Sequence, residues 1–374
     1  MKNAMLILIT FTKFILSMKS KKEYILFSES KYYRNHFEKL IEKLNKNPDS
    51  DVHFFTSDYD EYIYFQEKVN SYYTGQGIVR YLIFKYLNCE NFILTLTDIG
   101  NNLPRSKNCN NYIYFFHGLV STHKVYTKEA FKNYNTIFTV GPYQEKELIL
   151  AEKNYNLAKK KIINIGYFYL DYLLKKVKHN LVQKGTILFA PSWSYNKKNF
   201  FDNYGEKLIK NLLNKNYSVI LRPHSEHFKR SKNTIKKIID KFDKVDNFFF
   251  DDNISNISSM EKSEILITDN SGIMLEFGLV LNRPCLCFNE EQKIHNVDFK
   301  SLNIESLEEI FIKNFTKELK NVEVDNIEEH YLNTLKNYDN LKPRIIIFRE
   351  KYISNLNNSV DAAFDYLTSI KLNK

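Results

Sequence analysis

The run Glu264-Ile265-Leu266-Ile267-Thr268-Asp269-Asn270-Ser271-Gly272 leads straight into Ile273-Met274-Leu275-Glu276-Phe277-Gly278, so a short apolar strand pattern turns through polar residues into a helix pattern. Such a turn leaves backbone N–H groups and the positive end of a helix dipole at the mouth of a sheet, which suits a phosphate. Ser271 and Gly272, with Asn270 beside them, are the candidate phosphate-holding residues, and Asp269 would orient the turn. Glu276 lies about one helical turn further in, where a carboxylate could take the hydroxyls of a ribose. The plainer alternative is an Asn-Ser N-cap opening an ordinary helix.

Three further strand-end sets carry reactive groups. Tyr112-Ile113-Tyr114-Phe115-Phe116-His117-Gly118 delivers a histidine to the carboxyl end of an apolar strand, where an imidazole can act as a general base at neutral pH. Ser218-Val219-Ile220-Leu221-Arg222-Pro223-His224 puts Arg222 and His224 on one face by alternation, and Pro223 ends the pairing. A charged fork beside a titratable donor makes a clamp for phosphate oxygens. An arginine paired with a structural carboxylate is the alternative. His227 reads as a bystander. Phe189-Ala190-Pro191-Ser192-Trp193 offers the Ser192 hydroxyl and the single tryptophan of the chain. Lys124, one loop beyond His117, is a candidate for neutralising substrate charge.

Elements able to hold these groups alternate along the chain. Strand patterns are predicted at Tyr24–Ser28, Val52–Thr56, Phe92–Thr97, Tyr112–Phe116, Thr136–Val140 and Ile162–Ile165. A second series follows at Thr186–Ala190, Ser218–Leu221, Phe248–Phe250, Ile265–Thr268 and Cys285–Phe288. Helix-like stretches such as Tyr33–Leu44, Tyr143–Ala151, Tyr204–Leu213 and Asn233–Phe242 lie between them, which argues for parallel sheets covered by helices. The expected architecture is α/β, with two tandem doubly wound Rossmann-like domains facing a central cleft. The first spans residues 1–180 and the second 181–340, which the resemblance described below implies are the acceptor-side and nucleotide-donor domains. A C-terminal helix over 341–374 is expected to pack back on the first domain. Beyond residue 300 the pattern is helical and ends in Arg344–Leu367. Ligands of open parallel sheets sit at the carboxyl ends of strands. No G-x-G-x-x-G occurs, so a dinucleotide fingerprint is absent.

Composition narrows the classes. With 374 residues and 43% hydrophobic content the chain suits two packed domains. The net charge of +10 points to a phosphorylated substrate or an anionic membrane face. Nucleic acid is disfavoured, because lysines are scattered and no binding motif occurs. Cys89, Cys109, Cys285 and Cys287 show no metal spacing and suit a reduced, cytoplasmic protein. Met5–Met18 is mostly apolar, but it is interrupted by Lys13 and is shorter than the roughly 20 residues of a membrane span. Either it is an interfacial helix with the basic flank Lys19, Lys21 and Lys22, or Met18 is the true start and Tyr24–Ser28 the first strand. The expected location is cytoplasmic, with peripheral contact on the inner membrane face.

Taken in order, the strand-end His-Gly, Leu-Phe-Ala-Pro-Ser-Trp, Arg-Pro-His and Ile-Thr-Asp-Asn-Ser-Gly resemble the CDP-glycerol glycerophosphotransferase family, which includes teichoic acid polymerases and capsule enzymes. The resemblance runs over roughly residues 110–365 and takes in Phe348-Arg349-Glu350-Lys351-Tyr352. It implies a GT-B fold and transfer of an alditol phosphate from a CDP-linked donor to a hydroxyl of a glycan or lipid-linked acceptor, with release of CMP and no resident cofactor. It implies that His117 is the base for the acceptor hydroxyl, that His224 with Arg222 contacts donor phosphates, and that Ser271 and Gly272 hold phosphate. The chain departs from the family pattern at Gly272, where a second Ser is common, and at Asn270, where Tyr is usual. It departs again at Leu119-Val120-Ser121-Thr122, where Thr-Pro-Leu-Lys is common. A GT-B glycosyltransferase using a nucleotide-sugar, a sugar-nucleotide epimerase and a non-catalytic basic docking protein are the competing readings.

Overall fold

The computed structural model describes residues 2–97, 99–193, 199–269, 271–289 and 294–372. The chain divides into two compact units. One comprises 1–118, 126–172 and 353–374, and the other 119–125 and 173–352. Each is built on a wholly parallel sheet, as the α/β alternation requires.

The first sheet has seven strands: β1 (Lys22–Ser28), β2 (Val52–Thr56), β3 (Asn70–Tyr73), β4 (Cys89–Leu94), β5 (Cys109–Phe115), β6 (Thr136–Thr139) and β7 (Lys161–Asn164). Their order is β3-β2-β1-β4-β5-β6-β7, so the chain winds outward from β1 in both directions. Central strands carry continuous buried runs such as Tyr24–Phe27 and Tyr112–Phe115, as a sheet covered on both faces demands. One face packs on Phe37, Leu40, Ile41 and Leu44 of the helix Arg34–Lys46. Each such fully buried side chain contributes about 2 kcal/mol.

The second sheet has six strands: β8 (Gln183–Phe189), β9 (Ser218–Leu221), β10 (Phe248–Phe250), β11 (Ser263–Asp269), β12 (Cys285–Phe288) and β13 (Thr316–Leu319), in the order β10-β9-β8-β11-β12-β13. Phe201, Leu208, Ile209 and Leu212 of the helix Phe200–Leu213 fill its core.

Beside the sequence expectation of a boundary at 180/181 and one helix over 341–374, the compact units meet at Gly118/Leu119, Val125/Tyr126, Tyr172/Leu173 and Tyr352/Ile353, and the final segment is two helices. Tyr338–Tyr352 belongs to the second unit and Ser359–Leu372 to the first. Asn355 and Asn357 between them adopt φ +48° and +64°, a left-handed backbone that Asn tolerates and a helix cannot continue. The Asp171 carboxylate then caps the last helix, accepting N–H bonds from Asn357 at 2.7 Å and Ser359 at 3.0 Å.

Lys2–Ser17 forms a helix of the first unit. It packs on β3 and on the helix Ile78–Tyr86, burying Phe14 edge-on to Phe55. No helix among the described residues is long and apolar enough to cross a membrane.

Candidate functional site

In the first unit, β5 ends in the buried residues Phe115 and Phe116, and His117 follows directly. The His117 ring lies 4.8 Å from that of Tyr33, and its carbonyl accepts the Tyr167 hydroxyl at 3.1 Å. Its Nδ1 is buried and makes no hydrogen bond among the described residues. Burial lowers its pKa to about 4, so the ring is neutral at physiological pH.

His36, which the sequence reading did not single out, joins this cluster from the first turn of the helix Arg34–Lys46. Its ring lies 5.6 Å from that of Tyr167 and 4.9 Å from that of Tyr169. Burial first, and then the neighbouring His117, lowers its pKa to about 3. Its position just past β1, in the connection where parallel sheets collect ligand groups, was the available signal.

In the second unit, Ser271 is the N-cap of the helix Gly272–Leu281, extended at φ −127° and ψ 144°, and its hydroxyl does not cap the helix. The first-turn N–H groups of that helix are therefore not satisfied by the serine side chain. Gly272 and Glu276 are half-buried, and Glu276 stands on the second turn. Asn270, the remaining member of the expected turn, lies outside the described residues.

Neighbouring strand ends are tied to this turn. Asp269 accepts the Ser192 N–H, and Thr268 Oγ1 donates to the Ala190 carbonyl at 2.7 Å. Ser192 is buried, and its hydroxyl donates to the Trp193 carbonyl at 3.4 Å. His227, expected to be a bystander, is buried. Its Nε2 meets the Ser192 carbonyl at 2.9 Å, and its Nδ1 lies 3.3 Å from Ser231 Oγ. Both backbone groups of Ser192 are thus fixed. Trp193 is placed 6.1 Å from the His224 ring, with the Arg230 guanidinium 5.2 Å from its own ring.

Arg222 and His224 part company in the structure. The Arg222 guanidinium donates to Asp251 at 2.7 Å and to the carbonyls of Asn253, Ile254 and Ser255 at 2.9, 3.3 and 3.4 Å. It pins the loop after β10, the alternative raised for it from sequence. Asp251 titrates below its usual range. Burial opposes this, but the Ser259 hydroxyl and the Arg222 charge outweigh it. His224 is exposed, and its Nδ1 accepts the Glu226 N–H at 3.1 Å. That bond leaves the ring proton on Nε2, so neutral His224 presents a donor.

Lys124, the candidate for neutralising substrate charge, is paired with a carboxylate of its own chain. It is buried, with Nζ 2.5 Å from Glu309. Among the described residues no cluster of His, Cys, Asp or Glu could hold a metal ion.

Residues 9–354 match the family model of the CDP-glycerol:poly(glycerophosphate) glycerophosphotransferases. The chain belongs to this family. It is a transferase. Among solved structures, it is similar to a variant of the wall teichoic acid polymerase TagF at 15% identity and TM-score 0.61, with 98% of this chain and 94% of that chain covered. A TagF crystal soaked with CDPG gives 16% identity and TM-score 0.63, with 96% and 92% covered. A putative UDP-N-acetylglucosamine 2-epimerase from Listeria monocytogenes gives 12% identity and TM-score 0.62, with 95% and 98% covered. At such identities the likeness concerns the fold, which is GT-B. No curated protein sequence matches the chain.

Proposed function

We propose that this enzyme moves glycerol phosphate, or a similar alditol phosphate, from a CDP-linked donor to a hydroxyl of a cell-surface glycan or lipid-linked acceptor, releasing CMP. The observation that carries the reading is the glycerophosphotransferase family match over residues 9–354. The geometry of both strand-end sites is consistent with it. The donor's phosphates rest on the N-terminal turn of Gly272–Leu281, with Ser271 supplying a hydroxyl and Gly272 a backbone N–H. His224 donates from Nε2, Ser192 borders the same position, and Glu276 takes ribose hydroxyls. Arg222 serves by holding the 251–256 loop.

His117, neutral through burial, takes the proton of the acceptor hydroxyl as that oxygen attacks phosphorus and the bond to the CMP oxygen breaks. Most of the acceleration then comes from alignment and from donors aimed at phosphate oxygens, as in phosphoryl transfer generally.

A peripheral place on the inner membrane face fits the first unit. Met5, Leu8, Ile9 and Leu16 of the N-terminal helix are exposed, as are Ile78, Tyr81 and Tyr86 of the helix packed beside it, and Lys19 and Lys21 flank them. Such a face suits an anionic interface.

Incubation with CDP-glycerol and lipid-linked acceptor, followed by chromatography of the nucleotides, tests the reading. CMP formed in proportion to acceptor elongation supports it. Release of UDP from a nucleotide-sugar, with CDP-glycerol untouched, contradicts it.

A further inference from the structure

Seven residues, Leu119–Val125, follow directly on His117 and Gly118. They belong to the second unit, although the chain on either side belongs to the first. The base of this excursion is closed within the first unit by aromatic residues. The Tyr126 ring lies 5.7 Å from Phe116, and its hydroxyl lies 3.1 Å from that of Tyr114.

Within the second unit the segment is pinned at several points. Ser121 is fully buried, and its N–H and Oγ donate to the two carboxylate oxygens of Glu308 at 2.9 and 2.7 Å. The same Oγ accepts the Leu307 N–H at 2.8 Å. The Lys124 carbonyl accepts the N–H groups of His295 and Asn296, and Asn296 Nδ2 donates to the His123 carbonyl at 2.9 Å. Between the pins and the base, Val120 Cγ1 stands 3.8 Å from where a Cβ on Gly272 would lie, so the segment touches the donor turn itself. The helix of that turn packs at Gly278 on Phe311, from the helix Leu307–Phe315 that also carries Glu308. Strap, donor-turn helix and Glu308 helix therefore form one packed group.

We propose that Ser121 and Glu308 are positioning residues for the transfer step, a latch that holds the strap against the donor turn and thereby sets the place of His117. The inference rests on reading His117 as the base and Ser271–Gly272 as the phosphate turn. Three residues separate Val120 from His117, at most about 11 Å of chain, so the histidine cannot stray from a strap held at Val120. A buried carboxylate that accepts two hydrogen bonds is costly to leave unpaired, so the latch is closed in the resting protein. It acts on geometry, and a displacement of about 1 Å at a reacting group costs on the order of a hundredfold in rate.

The experiment compares wild type, Ser121→Ala and the volume-conserving Glu308→Gln, each also in the His117→Ala background. It follows CMP release from CDP-glycerol with acceptor, and CMP binding by calorimetry. The latch predicts that either substitution lowers kcat by roughly ten- to a hundredfold, with KM for CDP-glycerol and the CMP Kd within about twofold. It also predicts little further loss once His117 is gone, because the effect passes through that residue. Equal losses in both backgrounds, or loss of CMP binding in parallel with rate, overturn it. Backbone hydrogen exchange without ligand gives a second reading. His117 and Gly118 exchange about tenfold faster in Ser121→Ala, with Tyr112–Phe115 unchanged. Unaltered exchange at Gly118 overturns the latch whatever the donor proves to be. A wild type that ignores CDP-glycerol but shows the exchange change overturns only the functional reading.

Discussion

The two strand-end sites are made of opposite materials. In the first unit, His117 sits among Tyr33, Phe116, Tyr167 and the second histidine His36, in a setting that strips water from both rings. In the second unit, Ser271 opens a helix whose first N–H groups it does not cap, beside an exposed His224. Apolar surroundings favour an uncharged imidazole, whereas backbone dipoles and exposed donors favour an incoming anion. The carboxyl end of a parallel sheet, built twice, thus offers two settings; on the proposed function one keeps a base unprotonated and the other receives phosphate.

The sharpest way to break this division is to remove each half separately. His117→Ala is expected to lower transfer by about 10²–10⁴-fold while CMP binding stays within twofold. Steady-state kinetics beside calorimetry checks this, and loss of nucleotide binding in that variant would erase the distinction.

Next in size is the contrast between Arg222 and His224, which the motif joins and the structure separates. Arg222→Met leaves the buried Asp251 carboxylate without its partner and should destabilise the protein by about 2–3 kcal/mol. His224→Ala should leave stability within about 0.5 kcal/mol, because its ring is exposed, while weakening donor turnover. Urea unfolding of both variants decides it. Equal stability losses would mean that the two residues act as one clamp after all.

The last contrast concerns pH. An unfolded histidine titrates near 6.5, whereas buried His36 titrates at about 3. Between these values the unfolded chain binds the extra proton, so stability conferred by neutral His36 is complete above about pH 6.5 and is lost as pH falls. The slope reaches up to about 1.4 kcal/mol per pH unit. His36→Gln should reduce the slope of the unfolding free energy measured between pH 6.5 and 4, leaving the part that His117, lowered to about 4, contributes. The same slope in variant and wild type would place His36 in water.

Much of this layout was legible in the chain, and its gaps have physical causes. β2, β9, β10 and β12 fall where the apolar runs put them; β2 and β12 are buried throughout, as strands covered on both faces are, whereas the edge strand β10 leaves Phe249 exposed. β3 and β13 escaped. Asn70–Tyr73 is short and polar at its start, and Thr316–Leu319 is a charged edge strand that only its pairing with β12 defines. Strand-end motifs pointed to His117, His224 and Ser271. What they could not show was company: Asp251 stands 29 residues beyond Arg222, and His36 reaches the cluster only when its helix packs. Lys124 looked free for the same reason, its partner Glu309 being far along the chain.

The central claim is a cytidine-linked donor held at the Ser271–Gly272 turn. Its most direct test is a thermal-shift panel of CMP, CDP-glycerol, CDP-ribitol, UDP and UDP-sugars on wild type and Ser271→Trp. Stabilisation by the cytidine compounds that disappears in the variant is the predicted result. Preference for uridine compounds, or a shift that survives Ser271→Trp, would contradict it.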